Sequence, residues 1–160
     1  MGELTTRVLN GINNAREAED LGDCVGVAAD LIRRVLSSAY LSGFEEIDQE
    51  EVGELEKTQL QEALLKALPR NSDPLYVCSI LHALRGTCDP ALRPLWIEYL
   101  TKYLGLLKSS NAVVFTILLA LSDLDEPVFV GAMSRCSIDV QINVKEAQDY
   151  LRRHGIIVPG

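Results

Sequence analysis

The chain has 160 residues, of which 48% are hydrophobic and 24% are charged, and its net charge is −8. This length is enough for one domain with its own apolar core, and the composition is that of a folded globular protein rather than a disordered chain. The longest apolar run, residues 112–121, is about half of the ~20 residues that a membrane-spanning helix needs. We therefore expect no transmembrane helix.

The negative charge is unevenly distributed. Residues 1–66 contain 14 acidic and six basic side chains, whereas residues 67–160 contain nine of each. The stretch 44–56, FEEIDQEEVGELE, has seven acidic residues and no basic one. Such a charge repels nucleic acid and anionic lipid and attracts basic proteins. We therefore expect a basic protein partner, no nucleic acid and no membrane; the alternative is an acidic, solvated loop that only aids solubility.

Helical spacing of apolar residues begins at the N-terminus. A first helix with its apolar face over residues 4–12 can extend to residue 20, until Gly22 breaks it. Asp23 can then cap a second helix, whose apolar stripe covers residues 25–39. The N-terminus has acidic residues and no apolar segment of secretory type, so we expect no signal peptide.

The acidic stretch is expected to form a loop or a frayed helix start. A third helix follows, with apolar residues over 60–68, and Pro69 stops it. Only residues 137–142 and the tail 156–160 show any alternation typical of strands, which is too little for a sheet. The sequence therefore predicts an all-α protein.

Three acid–proline pairs mark helix starts in the second half of the chain. Asp73–Pro74 and Asp89–Pro90 each place a capping acid before a proline at the first helical position, and Glu126–Pro127 repeats the pattern with a poorer cap. The helices predicted from these starts and from the turns between them cover residues 74–85, 90–107, 111–122 and 127–135. Asn143 can cap a last helix over 144–153, which Gly155 ends.

Two segments of this half repeat each other. SILHALRGTCDP (79–90) recurs 37 positions later as TILLALSDLDEP (116–127), and a longer amphipathic helix precedes a shorter, nearly apolar one. This pattern resembles HEAT-type α-solenoid repeats over residues 58–135. The resemblance implies stacked antiparallel helix pairs in which the apolar helices pack between repeats. An irregular helical bundle with two similar segments is the alternative.

The expected organisation is a single helical domain over residues 1–160. Its parts are acidic N-terminal helices and a loop over 1–57, repeat-like helix pairs over 58–155 and a tail over 156–160. The four cysteines form no C-x-x-C pair and lie mostly within apolar helical patterns. They are therefore predicted to be reduced core thiols of a cytoplasmic protein.

Few side chains are suited to catalysis. His82 and His154 are the only histidines, and the motifs of nucleotide-binding proteins, zinc proteases and serine hydrolases do not occur. Cys78 lies one helical turn before His82, but a structural zinc site needs four ligands, and residue 82 corresponds to Leu119 in the second repeat. We therefore interpret His82 as a core or groove residue, and expect no enzyme activity, no metal and no cofactor.

Two surfaces are candidates for binding a partner. The acidic candidate consists of Glu45, Glu46, Asp48, Glu50, Glu51, Glu54 and Glu56. The aromatic candidate consists of Trp96, Tyr99 and Tyr103, which share one face of a predicted helix. If that face points outward, it is a hot spot for a peptide or helix; the alternative is that it packs against the preceding helix.

Three hypotheses about function follow. The first is a non-catalytic interaction module, in its most concrete form an acidic bacterial immunity protein that neutralises a basic toxin domain. The second is an adaptor or regulator that binds a peptide or helix in an apolar groove. The third is a small cytosolic enzyme that uses His82 and Cys78.

Overall fold

The computed structural model of the chain describes residues 2–36, 52–104, 111–124 and 140–156. Within these ranges the regular secondary structure is entirely helical, which confirms the predicted all-α fold. No helix among the described residues is long and apolar enough to cross a membrane. The chain divides into two compact units, residues 1–87 and residues 88–160, called unit 1 and unit 2 below. The HEAT-like stack, the irregular bundle and the single domain remain predictions.

Unit 1 is built from helices that surround a leucine- and isoleucine-rich core. Its described elements are α1 (Glu3–Asn14), α2 (Ala18–Leu21), α3 (Cys24–Leu36), α4 (Glu54–Ala67), a 3₁₀ turn (Leu68–Arg70) and α5 (Pro74–Arg85). Helix α1 packs against α3 and α4, and α5 packs against α3, α4 and α2. The fully buried side chains include Ile12, Leu31, Ile32, Leu60, Leu64 and Ile80.

The first helix is shorter than predicted. Helix α1 ends at Asn14, because Ala15 is extended, and the short α2 is a separate element. At the start of α2, Asp20 Oδ2 accepts a hydrogen bond from the Glu17 backbone N–H, and the Glu17 carbonyl accepts one from the Asp20 backbone N–H, each at 3.0 Å. Gly22 ends α2 as predicted, at a φ of 47° that glycine adopts without a steric penalty.

Helix α4 begins earlier than its apolar stripe. It starts at Glu54, where Glu56 Oε2 accepts a hydrogen bond from the Gly53 backbone N–H at 3.2 Å. The end of the acidic stretch is therefore helical. This agrees with the prediction that the stretch could form a helix start rather than a loop. Pro69 lies in the 3₁₀ turn directly after α4, so the prediction that proline stops this helix is confirmed.

Unit 2 contains a 3₁₀ turn and three α-helices among its described residues. They are the turn Pro90–Leu92, α6 (Arg93–Leu104), α7 (Asn111–Leu124) and α8 (Val140–Arg153). Helix α7 packs against α6 and α8, and it buries most of its apolar side chains. The predicted helix over 127–135 lies outside the described residues.

The two Asp–Pro helix starts are confirmed. Helix α5 covers the predicted residues, and Asp73 Oδ1 accepts a hydrogen bond from the Leu75 backbone N–H at 3.4 Å. Asp89 Oδ1 accepts a hydrogen bond from the Ala91 backbone N–H at 2.9 Å. The residues that Asp89 caps form a 3₁₀ turn, and α6 begins directly after this turn. The acid before each proline thus compensates for the donors that a helix start leaves without partners.

The predicted cap of the last helix is wrong. Helix α8 begins at Val140, so Asn143 lies within it, fully buried. Its Nδ2 donates a hydrogen bond to Asn111 Oδ1, on the first residue of α7, at 2.9 Å. The side chain thus bonds to a neighbouring helix rather than to its own backbone. Gly155, at a φ of 72°, follows the end of α8 as predicted.

Candidate functional site

The predicted acidic footprint is described only at its end. Glu45, Glu46, Asp48, Glu50 and Glu51 lie outside the described residues.

Glu54 and Glu56 lie in the first turn of α4, where negative charge is favoured by the helix dipole. The Glu54 side chain is 79% exposed and lies 3.7 Å from Lys57 Nζ, while Glu56 is half-buried and caps the helix. Of the two, Glu54 is the carboxylate presented to solvent.

The charge asymmetry coincides with the division into units. Residues 1–87 carry 15 acidic and eight basic side chains, whereas residues 88–160 carry eight and seven. The net charges are therefore −7 for unit 1 and −1 for unit 2. The excess of acidic residues in the sequence therefore falls within the residue range of unit 1.

A second acidic surface lies around α2. It consists of Glu17, Glu19, Asp20 and Asp23, all of which are exposed, and we call it the acidic turn. Sequence analysis missed it, because Glu17, Glu19 and Asp20 were assigned to the end of the first helix and Asp23 to the cap of the second. Four acids within seven residues, on both sides of Gly22, were the available signal.

Asp20 is the most constrained carboxylate of the acidic turn. Its Oδ2 accepts hydrogen bonds from the backbone N–H groups of Arg16 and Glu17, each at 3.0 Å. These two bonds, Arg16 first, hold the pKa of Asp20 below its ordinary value of 3.8, because they stabilise the charged form. Asp20 therefore stays ionised at neutral pH while it fixes the backbone of the turn.

Two arginines bind the backbone at the end of α1, directly before the acidic turn. Arg70 Nη1 donates to the carbonyl oxygens of Ile12, Asn13 and Ala15 at 3.1, 3.0 and 3.3 Å. Arg16 Nη1 also donates to the carbonyls of Asn13 and Ala15, at 3.2 and 2.9 Å. Both guanidinium groups lie at the C-terminal end of α1, where the helix dipole favours positive charge.

The segment after α4 adds two further ties. Asn71 Nδ2 donates to the Arg16 carbonyl at 3.0 Å, and the buried Tyr76 hydroxyl donates to the Ala67 carbonyl at 2.6 Å. Burial is the main cause that raises the pKa of Tyr76, and Arg70, Arg16 and Asp20 are close enough to modify it. The acidic turn, the end of α1 and the start of α5 are therefore neighbours.

The outward side of α5 is only partly polar. Leu75 is 67% exposed, Cys78 and Ser79 are half-buried, and His82 is exposed. These four residues recur at helical spacing and are called the α5 outer face. Of the two alternatives for His82, a core or a groove residue, the core alternative is therefore wrong, because its helix turns this position toward solvent.

The cysteines are less buried than expected. Cys24 and Cys78 are half-buried thiols, and Cys88 is exposed at a φ of 46°, so the prediction of core thiols is wrong for Cys88. Cys136 lies outside the described residues. Within the described part of the chain, no three His, Cys, Asp or Glu side chains are grouped as ligands of a metal ion would be.

The aromatic residues of α6 are interior. Trp96, Tyr99 and Tyr103 are 2%, 8% and 0% exposed. The two tyrosine rings stack with centroids 6.1 Å apart, and Lys102 Nζ lies 5.6 and 5.5 Å from their centroids. Burial is the first cause that raises the pKa of Tyr99. The expectation of an outward aromatic hot spot is therefore wrong, and these rings belong to the core of unit 2.

Comparison of the chain with protein-family models, with curated proteins and with solved structures gave no significant match.

Proposed function

We propose that this chain is a non-catalytic protein–protein interaction module whose acidic unit 1 binds a basic protein. The observation that carries the proposal is the separation of charge between the units, −7 against −1. A field concentrated on one body steers an oppositely charged partner to that body and raises the association rate at low salt. The exposed carboxylates Glu17, Glu19, Asp20, Asp23 and Glu54 are part of this field.

In its most concrete form, the proposal is an immunity protein that neutralises a cationic toxin domain. Small size and strong negative charge are the properties that suit this role, and the step is an analogy from these properties. The adaptor hypothesis needs an accessible aromatic face, and the burial of Trp96 and Tyr103 does not favour it.

The first experiment is affinity capture from the source cell, and with the product of the neighbouring gene, at low and at high salt. Bound proteins are identified by mass spectrometry. A basic protein that is captured at low salt and lost at high salt is the expected result, because charge pairs at an interface rim are screened by salt. A partner whose capture does not depend on salt would contradict the proposal.

Charge reversal then locates the interaction. Glu54→Lys changes an exposed glutamate of unit 1, and Glu98→Lys makes the same change on an exposed glutamate of unit 2. We expect Glu54→Lys to slow association with the captured partner severalfold and to flatten its salt dependence, and Glu98→Lys to do neither. Equal effects in stopped-flow measurements would show that unit 1 is not the binding body.

A further inference from the structure

We infer that the amide pair Asn111–Asn143 is a conformational device of unit 2, which fixes the register of α8 along α7 at a cost in stability. Helix α8 packs against α7, and Asn143 Nδ2 donates a hydrogen bond to Asn111 Oδ1 at 2.9 Å. This bond joins the first turn of α7 to the first turn of α8. It concerns unit 2 alone and is independent of the proposed function.

The pair is a poor source of stability. Asn143 is 0% exposed, and its Oδ1 has no hydrogen-bond partner in the described part of the structure. A buried amide that uses only part of its hydrogen-bonding capacity loses its water without full compensation. An apolar side chain of similar size would avoid this loss. Stability therefore does not explain an asparagine at this position.

The other buried positions of α8 specify its register only weakly. Ala147, Tyr150 and Leu151 are buried, and they follow Asn143 at helical spacing. Helix α7 buries apolar side chains over most of the range 113–121. A shift of α8 by one turn, about 5.4 Å, would place Ala147 where Asn143 lies and Leu151 where Ala147 lies. Because apolar contacts are not directional, this exchange alters the packing but breaks no specific bond.

The amide pair distinguishes the observed register from a shifted one. A shift by one turn in either direction moves Asn143 about 5.4 Å along the axis and breaks its bond to Asn111. The bond therefore stabilises the observed register and no neighbouring one. To fix register between paired helices is the best-attested role of a single buried polar side chain, and it lowers stability in the same way.

The first test measures stability. Asn143→Leu replaces the amide by an apolar side chain of similar size. Its midpoint of urea denaturation should shift to a higher urea concentration, because the amide oxygen without a partner is gone. Asn10→Leu makes the same substitution at an exposed position of α1, and it should leave the midpoint nearly unchanged.

The second test reads the register by NMR. In the unmodified protein, the backbone amides of α8 should give a single set of cross-peaks. In Asn143→Leu these peaks should double, because α8 then occupies more than one register on α7, while the peaks of α1 stay single. Nuclear Overhauser contacts between α7 and α8 should show the second set displaced by one helical turn. Asn10→Leu should keep a single set throughout.

Asn111→Ala examines the pair from the other side. It removes the acceptor of Asn143 and leaves a buried amide with less of its hydrogen bonding satisfied, so the denaturation midpoint should fall. The double variant Asn111→Ala/Asn143→Leu should recover most of this loss, because the buried amide is then absent.

The outcomes decide the role of the pair. A higher midpoint of Asn143→Leu together with doubled α8 peaks would support the inference. If Asn143→Leu has a lower midpoint or fails to fold, the pair stabilises unit 2 and the inference is overturned. It is equally overturned if the midpoint rises while α8 keeps a single set of peaks, because apolar packing alone would then fix the register.

Discussion

Both units have an apolar core, but they differ in charge and in the side chains that accompany that core. In unit 1, Arg70 donates to the Ile12 carbonyl across 58 positions of the chain, and Asn71 donates to the Arg16 carbonyl directly before the acidic turn. In unit 2, Trp96 and Tyr103 are buried, and α7 is almost entirely apolar. Unit 1 carries a net charge of −7 and unit 2 one of −1.

Under the proposed function, the groups that attract a partner belong to unit 1, whereas the buried aromatic residues Trp96, Tyr99 and Tyr103 belong to unit 2. Changes at the surface of unit 1 should therefore alter binding with little effect on stability. Changes in the interior of unit 2 should do the opposite. The predictions below test this separation.

The largest effect is expected from Trp96→Ala in the core of unit 2. Removal of this buried ring should lower the free energy of unfolding by about 3–5 kcal/mol, because the side chain leaves a cavity that the neighbours fill only in part. Chemical denaturation followed by circular dichroism measures the change, since Trp96 is the only tryptophan.

The milder variant Trp96→Phe is the control for binding. It should keep the fold and leave capture of the basic partner unchanged. If Trp96→Phe abolishes capture while the protein remains stable, the aromatic residues have a binding role after all, and the separation between the units is not real.

A smaller effect is expected where α1 and α3 approach closely in unit 1. A Cβ on Gly11 would collide with Cys24 Sγ and lie 3.4 Å from Cys24 Cβ. Gly11→Ala should therefore lower the free energy of unfolding by about 1–3 kcal/mol, as overpacked substitutions do. Thermal and chemical denaturation both report this loss.

Gly26→Ala is the matched control for this contact. A Cβ there meets no heavy atom within 4 Å, so the variant should gain about 0.5 kcal/mol from helix propensity. Combining Gly11→Ala with Cys24→Ala should recover most of the loss. A loss that persists in the double variant would place the strain elsewhere than at the Cys24 sulfur.

Arg70→Met tests the polar ties of unit 1. It keeps the apolar stem but removes the donors to three carbonyls at the end of α1, and should cost about 1–2 kcal/mol of unfolding free energy. Arg153→Met is the comparison in unit 2, where the Arg153 guanidinium lies 5.8 Å from the centre of the Tyr150 ring. This cation–π contact is worth about 0.5 kcal/mol of unfolding free energy. Equal losses would mean that the ties of Arg70 contribute little.

The smallest effect concerns pH. The Asp20 carboxylate has a pKa below 3.8 in the fold, so its charge stabilises the fold above pH 3.8 and this contribution is lost as pH falls through the lowered pKa. Asp20→Asn should reduce stability at neutral pH slightly and flatten the acid limb of the stability profile. An NMR titration in which Asp20 ionises at or above 3.8 would contradict this explanation.

Local signals in the sequence were enough for the class of fold and for several boundaries. Helix α5 has the predicted bounds because Asp73 caps its start, Pro74 takes the first position and Gly86 follows its end. Pro69 ended α4 for an equally local reason, the missing N–H group. Such features act within a few residues and can be recognised from one sequence.

Contacts between distant residues could not be predicted in this way. The end of α1 at Asn14 depends on Arg70, and the role of Asn143 depends on Asn111, 32 positions earlier. The exposure of His82 and the burial of Trp96 likewise depend on which helix faces are covered. The acidic turn was therefore missed as a surface, although its four acids were visible in the sequence.

The close approach of Gly11 to Cys24 also makes the Cys24 thiol a reporter of local opening. The half-buried Cys24 sulfur lies close to α1 on one side, so its alkylation should become faster when α1 moves away from α3. Cys88, exposed in the same chain, supplies an internal reference for the reagent. The ratio of the two alkylation rates would give the opening equilibrium of this helix pair, and its change on adding a partner would show whether binding holds the pair closed.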